Sequence, residues 1–241
     1  MPMTYWALIE HHRYWLSNDG IYVREIRENG ALMMPVSQRI VREYGVARNI
    51  GMINGVDGNQ VNGLQRLVDD INNSPWPDGL VDRANCCIAL ADAHHERCIA
   101  ERRHRPISAV SKLMWFLRPD GWTMFDRYAR IGLIGNDNNP LAFYEALEQR
   151  NFQDVAANIT NICRNHGFGL FGERVIDKLL LFRGANAAQD GGENYYVTAQ
   201  TLNHWHLQLL PEDYRKRLIA LATEVAEALL PTEFAPLAAA G

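Results

Sequence analysis

A lysine and an aspartate fourteen residues apart are the side chains of this sequence best suited to covalent chemistry. Lys112 lies in an apolar stretch, 107–117, where loss of solvation lowers the pKa of an ammonium and leaves more free amine. Asp126 stands at the start of a helical pattern, where the helix dipole and free N–H groups favour an ionised carboxylate. We expect the amine to attack an electrophilic sugar carbon. We expect the carboxylate to stabilise an oxocarbenium-like transition state or to move a proton.

The choice of an amine nucleophile is narrow because lysine is scarce. Only three of the 24 basic residues are lysines, Lys112, Lys178 and Lys216, and arginine cannot act as an amine nucleophile. Replacing Lys178 or Lys216 is expected to change little, since Lys178 is mid-helix beside an acid and Lys216 is on a solvated face. In an alternative interpretation, Lys112 and Asp126 take part in no reaction. In that alternative, Lys112 extends from a core helix to solvent and Asp126 only caps a helix.

Aromatic residues surround the Lys112 and Asp126 pair in the sequence. Trp115, Phe116 and Trp122 could line a flat apolar slot for a base taken out of the nucleic-acid stack. For each ring taken singly, packing in the protein core is the alternative. We predict that Lys112 and Asp126 approach each other across one pocket lined by these rings.

Basic residues concentrate around the same segment. Between residues 96 and 130 there are seven arginines and one lysine against four acids, a formal charge of +4 in a chain of −4. The net charge excludes a uniformly basic coat, while a local cationic face suits a phosphate-rich ligand. A solvated helix end is the alternative. The predicted phosphate-binding residues are Arg102, Arg103, Arg105, Arg127 and Arg130.

Two short motifs carry a resemblance to a known family. The run Ser108-Ala109-Val110-Ser111-Lys112 is similar to a Gly-Val-Gly-x-Lys hairpin, and Thr123-Met124-Phe125-Asp126 is similar to an apolar run that ends in a catalytic aspartate. On these residues the chain resembles the helix-hairpin-helix DNA glycosylase superfamily, in particular its 8-oxoguanine DNA glycosylase branch. The resemblance covers about residues 80 to 185.

The resemblance implies specific roles. Lys112 would be the Schiff-base lysine and Asp126 the catalytic carboxylate, while Phe116 would lie against the base. Tyr128 would complete the base pocket or contact a phosphate. The implied activity is that of a DNA base-excision glycosylase with lyase activity at abasic sites, which removes an oxidised or modified purine from duplex DNA.

One departure from the family favours a second function. Ser108 and Val110 stand where the family carries glycines, which let backbone N–H groups approach a DNA phosphate. Together with the negative net charge, this departure favours a non-catalytic module that binds a modified nucleobase, a nucleotide or a protein partner. Proteins of this kind resemble accessory components of bacterial anti-phage defence.

The elements that must position these residues are helices. Apolar residues recur with helical spacing through most of the chain, and the sequence therefore predicts an all-α fold with a small hairpin near Ile53 to Val56. Asn18-Asp19-Gly20 predicts a turn, and a second hairpin helix is expected to open with Lys112. We expect a helical and loop extension over 1–60, a domain over 61–235 with its hairpin at 105–126, and a disordered tail over 236–241.

The composition and the residue spacing predict no bound cofactor and no membrane-spanning segment. The residues His94, His95, Cys86, Cys87 and Cys98 match no zinc spacing, so no metal is predicted. No apolar run approaches the roughly 20 residues of a membrane span, and the N-terminus lacks the pattern of a signal peptide. Four unevenly spaced cysteines form no disulfide framework, which indicates a reducing cytoplasm.

Overall fold

The computed structural model describes residues 1–54, 59–98, 104–188 and 193–234. Within these ranges the fold is all-α with one small antiparallel hairpin, which confirms the predicted fold class. None of the described helices combines the length and the apolar character that crossing a membrane requires. The chain divides into two compact units, Asp19–Phe125 and a discontinuous one that joins Met1–Asn18 to Asp126–Gly241. We call them the central-segment unit and the terminal unit.

The central-segment unit is built around one helix, α6, whose nine buried residues out of eleven leave almost no solvated side. A helix that is apolar on nearly every side must be surrounded, and α2, α3, α4 and α5 pack against it. The hairpin pairs Met52 with Asn62. The elements are α2 (Gly20–Asn29), α3 (Met34–Glu43), β1 (Met52–Asn54), β2 (Gln60–Asn62), α4 (Gly63–Asn72), α5 (Leu80–Arg97) and α6 (Ile107–Leu117).

The terminal unit has its own central helix, α10, with twelve of sixteen residues buried. It packs against α1, α7, α9 and α11, and α12 packs on α1 and α9. The elements are α1 (Met3–Tyr14), α7 (Arg127–Ile134), α8 (Pro140–Glu148), α9 (Phe152–Asn165), α10 (Gly172–Ala187), α11 (Glu193–Leu209) and α12 (Glu212–Leu229).

The helices α7 and α10 cross at two glycines. A Cβ atom on Gly184 would overlap the backbone carbonyl of Tyr128, and one on Gly132 would overlap the carbonyl of Leu180. Only glycine permits this close backbone approach. The crossing therefore sets the position of α7, and with it the residue that caps α7, Asp126.

Three boundaries differ from the predictions. The predicted division at residue 60 falls inside the central-segment unit, because α3 and α4 on either side of it pack on each other and on α6. The predicted turn at Asn18 to Gly20 is helical: a π-helical turn, Trp15–Asp19, leads into α2. The second hairpin helix begins at Ile107, directly after Pro106, so Lys112 lies in its second turn. The predicted tail over 236–241 lies outside the described residues.

Candidate active site

Lys112 is a buried amine on the central helix of its unit. Its side chain is 3% exposed, and the Nζ atom donates to the Ser108 hydroxyl at 2.7 Å and to the Phe125 carbonyl at 3.3 Å. Ser108 lies four residues earlier on α6, which places both side chains on the same face of the helix. The alternative in which Lys112 extends to solvent therefore does not describe this structure.

Ser111, on α6, forms two hydrogen bonds with the segment that precedes Asp126. The Ser111 hydroxyl accepts a hydrogen bond from the Phe125 backbone N–H at 2.9 Å, and the Trp122 indole donates to the Ser111 carbonyl at 3.0 Å. These bonds place the Phe125 carbonyl within reach of the Lys112 amine. Asp126 is the next residue in the chain.

Asp126 is the N-cap of α7. Its backbone is extended, and Oδ1 accepts a hydrogen bond from the Tyr128 backbone N–H at 3.0 Å. This is the standard use of aspartate at a helix start, and it fixes the carboxylate beside the positive end of the helix dipole. The predicted approach of Asp126 to Lys112 across one pocket stays a prediction.

Three of the four predicted base-pocket residues belong to the protein core. Trp115, Phe116 and Trp122 are each 0% exposed, and the Phe116 ring packs edge-on against Tyr22 and Tyr44. A ring with no exposed surface cannot stack on a ligand unless its surroundings open. The packing alternative accounts for these three rings as the structure has them.

One predicted pocket residue lies in the terminal unit and is half-exposed. Tyr128, the fourth predicted pocket residue, stacks on Tyr195 with ring centroids 6.3 Å apart. Burial raises the pKa of the Tyr195 phenol, and the negative charges of Glu10, Tyr14 and Asp126 raise it further. Tyr195 therefore stacks on Tyr128 and lies near enough to Tyr14 and Asp126 for both to influence its phenol. The sequence did not reveal this group because its members come from α1, α7 and α11.

The predicted phosphate-binding arginines have different environments. Arg102 and Arg103 lie outside the described residues. Arg105 is exposed and forms an ion pair with Asp92. Arg127 is exposed on the first turn of α7, where it suits the predicted role.

Arg130 has a structural role that competes with phosphate binding. Its side chain is buried, and its guanidinium donates to the carbonyls of Gly135 and Asp137 beyond the end of α7. Burial lowers the pKa of this guanidinium. We correct its predicted role, because a guanidinium committed to closing a helix end is not presented to a ligand.

A layer of buried ionisable side chains lies where α1 packs against α10, and the sequence pattern did not predict it. The layer comprises Glu10, His11, His12, Glu173, Arg174, Asp177 and Lys178, all buried. Arg174 and Asp177 form an ion pair within α10. The charged residues of α10 recur three and four residues apart, a pattern also typical of a solvated face, so the pattern alone could not show that the face is buried.

His12 links three helices of the terminal unit. Its Nδ1 atom is 2.9 Å from His206 Nε2 on α11, and its Nε2 atom is 2.9 Å from the Tyr214 hydroxyl on α12. Burial and, to a smaller extent, the nearby His206 together lower the pKa of His12 to about 4. His12 is therefore neutral at pH 7 and is held by both ring nitrogens.

We expect the free energy of unfolding to fall as the pH drops from about 6.5 towards 4. An unfolded histidine has a pKa of about 6.5, so protons bind the unfolded chain before they bind folded His12, and stability present above pH 6.5 is lost. Urea unfolding at a series of pH values measures the slope. His12→Gln keeps a polar side chain but does not titrate, so it should reduce the slope; His11 and His206, whose pKa values burial also lowers, account for the remainder. An identical slope in wild type and variant would contradict the assignment.

No family model, curated protein or solved structure matches this chain. The resemblance to the 8-oxoguanine DNA glycosylase branch therefore rests on its motif residues. Within the described ranges, no three His, Cys, Asp or Glu side chains come together as metal ligands.

Proposed function

We propose that this protein is a DNA base-excision glycosylase with lyase activity, which forms an imine between Lys112 and a deoxyribose. The placement of the Lys112 amine carries the proposal. The amine is almost completely buried and is held by a hydroxyl and a carbonyl oxygen. A nucleophile held in one position has little reorganisation left to make before attack, and exclusion of water protects an imine from hydrolysis.

The proposed reaction uses one amine and one carboxylate. The Lys112 nitrogen forms a bond to C1′ as the bond from C1′ to the base breaks, and that electron pair leaves with the base. The amine gives up a proton, for which Asp126 is the acceptor. The bond from C1′ to the ring oxygen then opens, the oxygen takes a proton, and C1′ and the Lys112 nitrogen become an imine. Elimination of the 3′ phosphate from this imine is the lyase step.

Borohydride trapping tests the covalent step. We expect wild-type protein to form a stable adduct with a duplex that contains an abasic site, because reduction converts the imine into an amine. Lys112→Arg keeps the charge but cannot form the imine, so the adduct should be absent while duplex binding persists. Denaturing gel electrophoresis measures the adduct.

Lys216→Arg is the matched control. Its side chain is 68% exposed and paired with Glu212 on α12, so the adduct should form as in the wild type. Lys178 does not serve as a control, because it is buried and we expect its replacement to affect the fold. Failure of wild type to form an adduct, or an adduct that survives Lys112→Arg, would refute the mechanism.

Binding to DNA through phosphate contacts should weaken as the salt concentration rises. Arg105 is paired with Asp92 and Arg97 with Asp70, so we expect few phosphate contacts and a slope of log K against log salt of roughly −1 to −3. Arg127→Ala should reduce the magnitude of the slope by about 1. Fluorescence anisotropy with a labelled duplex measures it. Arg39→Ala is the control, because Arg39 is an exposed arginine paired with Glu25; an equal effect of both variants would show that Arg127 is no specific contact.

A recognition module is the second candidate function. The side chains that replace the family's glycines support it: Val110 is buried in α6, and the Ser108 hydroxyl accepts from Lys112. At both positions a side chain is therefore present where the family's glycines leave the backbone N–H groups open to a phosphate. Duplex binding without any adduct would favour a module that binds a modified nucleobase or nucleotide. Absence of both at low salt would favour a protein partner.

A further inference from the structure

The helix α11 has one face that is buried and an opposite face that is exposed. Ala199, Asn203 and Leu207, which are four residues apart, are buried. This face packs against α1 and α10, and the Asn203 side-chain oxygen accepts a hydrogen bond from Arg13 on α1 at 3.2 Å. Residues spaced by four lie on one side of a helix. The buried side of α11 is therefore fixed, and its other side faces solvent.

The exposed face of α11 carries four large apolar side chains. Val197 is 54% exposed, Leu202 43%, Trp205 65% and Leu209 84%. Leu202, Trp205 and Leu209 follow one another at intervals of three and four residues, the spacing at which the side chains of one helix interlock with those of another. The solvated face of a helix usually carries polar and charged residues instead. The exposed apolar face of α11 therefore has the pattern of a helix–helix interface.

The absence of formal charge on this helix favours a second copy of the same chain as the partner. No Asp, Glu, Lys or Arg occurs between Asn194 and Pro211, in a chain of which 22% is charged. Across a two-fold axis, a residue near the axis lies opposite itself in the other copy, so a charge there would repel its own counterpart. An uncharged face avoids this repulsion.

The same absence disfavours a membrane surface. Amphipathic helices that lie on anionic membranes carry Lys and Arg on their polar side, and α11 has neither between Asn194 and Pro211. Its other side is occupied by α1 and α10, so no free polar face remains to contact lipid headgroups.

The area of the exposed apolar face is sufficient for a weak dimer. From their exposed fractions, the four apolar side chains together present about 500 Å² of accessible surface, within the range of patches that commonly serve as interaction sites. Two copies would therefore bury about 1,000 Å² in apolar contacts, the lower limit for a specific interface. A dimer that forms and dissociates with concentration follows from an area of this size.

We propose that the protein forms a homodimer through α11, with the two copies of the helix antiparallel about a two-fold axis at Trp205. Trp205 lies three residues after Leu202 and four before Leu209, so this axis places Leu202 of one copy opposite Leu209 of the other. The two indole rings meet at the centre of the interface, where aromatic side chains contribute most to binding. The dimer uses no residue of the proposed reaction and is independent of it.

Sedimentation velocity of the full chain at a series of concentrations tests the dimer. We expect wild-type protein to dimerise with a dissociation constant of roughly 1 to 100 µM, in keeping with an interface of this area. Trp205→Arg and Trp205→Glu should each be monomeric over the same concentrations, because each places like charges opposite one another. Ile21→Glu is the matched control, because Ile21 is a 47% exposed apolar residue on α2; this variant should dimerise as the wild type does.

A mixture of the two charge variants tests the antiparallel arrangement. Trp205→Arg and Trp205→Glu should form a heterodimer when mixed, since opposite charges then meet at the axis. Should either variant not fold, Leu202→Ala and Leu209→Ala remove apolar area without adding charge, and each should weaken the wild-type dimer roughly tenfold. A wild-type protein that stays monomeric at the highest concentration, whether or not it binds vesicles of anionic lipid, would overturn the proposal. Dimers that survive both charge variants, or a mixture that stays monomeric, would overturn it as well.

Discussion

Asp126→Asn is expected to slow the release of the base by about 100-fold, the loss typical of a group that takes part in general acid–base catalysis. The amide carries no negative charge, so it neither accepts a proton from the amine nor stabilises positive charge at the sugar. The fold should be unaffected, because the asparagine oxygen still accepts from the Tyr128 backbone N–H and asparagine is as good an N-cap as aspartate.

Single-turnover excision from a duplex that carries 8-oxoguanine measures this effect. Trapping at an abasic site requires no base departure, so the adduct yield of Asp126→Asn should fall less than its excision rate. Asp154→Asn is the matched control, because Asp154 is an exposed acid in the first turn of α9. An unchanged excision rate, or a loss explained entirely by a lower melting temperature, would show that Asp126 only caps the helix.

Gly184→Ala is expected to destabilise the terminal unit by about 3 kcal/mol or more, at the upper end of the range for overpacking. The added methyl group would overlap the backbone carbonyl of Tyr128 at the crossing of α7 and α10. A backbone atom cannot rotate away as a side chain does, so the two helices must separate. Because Tyr128 lies two residues after Asp126, the variant should also disturb the helix start that holds the carboxylate.

Gly169→Ala is the control for this substitution. A Cβ atom at Gly169 meets only the Trp15 ring at 3.9 Å, an ordinary contact distance, so its effect on stability should be small. Chemical denaturation followed by circular dichroism compares the two variants with wild type. Equal stability of Gly184→Ala and Gly169→Ala would show that the helices separate without penalty at this crossing.

The local pattern of the sequence was sufficient for most helices and for the position of Asp126. The helical pattern predicted to start at Asp126 is α7 in the structure, with Asp126 as its N-cap, because capping is determined by residues within one turn of each other. The all-α class follows from apolar spacing, which is also local. The motif around Lys112 likewise identified a lysine whose amine proved to be desolvated.

Tertiary packing decided which side chains are exposed and which charges are buried. Trp115 and Trp122 lie in the core, whereas Tyr14 and Tyr195 remain accessible, and their residue types do not distinguish these outcomes. Lys178 has the neighbours of a surface lysine in the sequence but packs against α1 in the fold. Burial depends on which helices surround a residue, and more than a hundred residues of chain separate α1 from α10, so no local pattern contains that information.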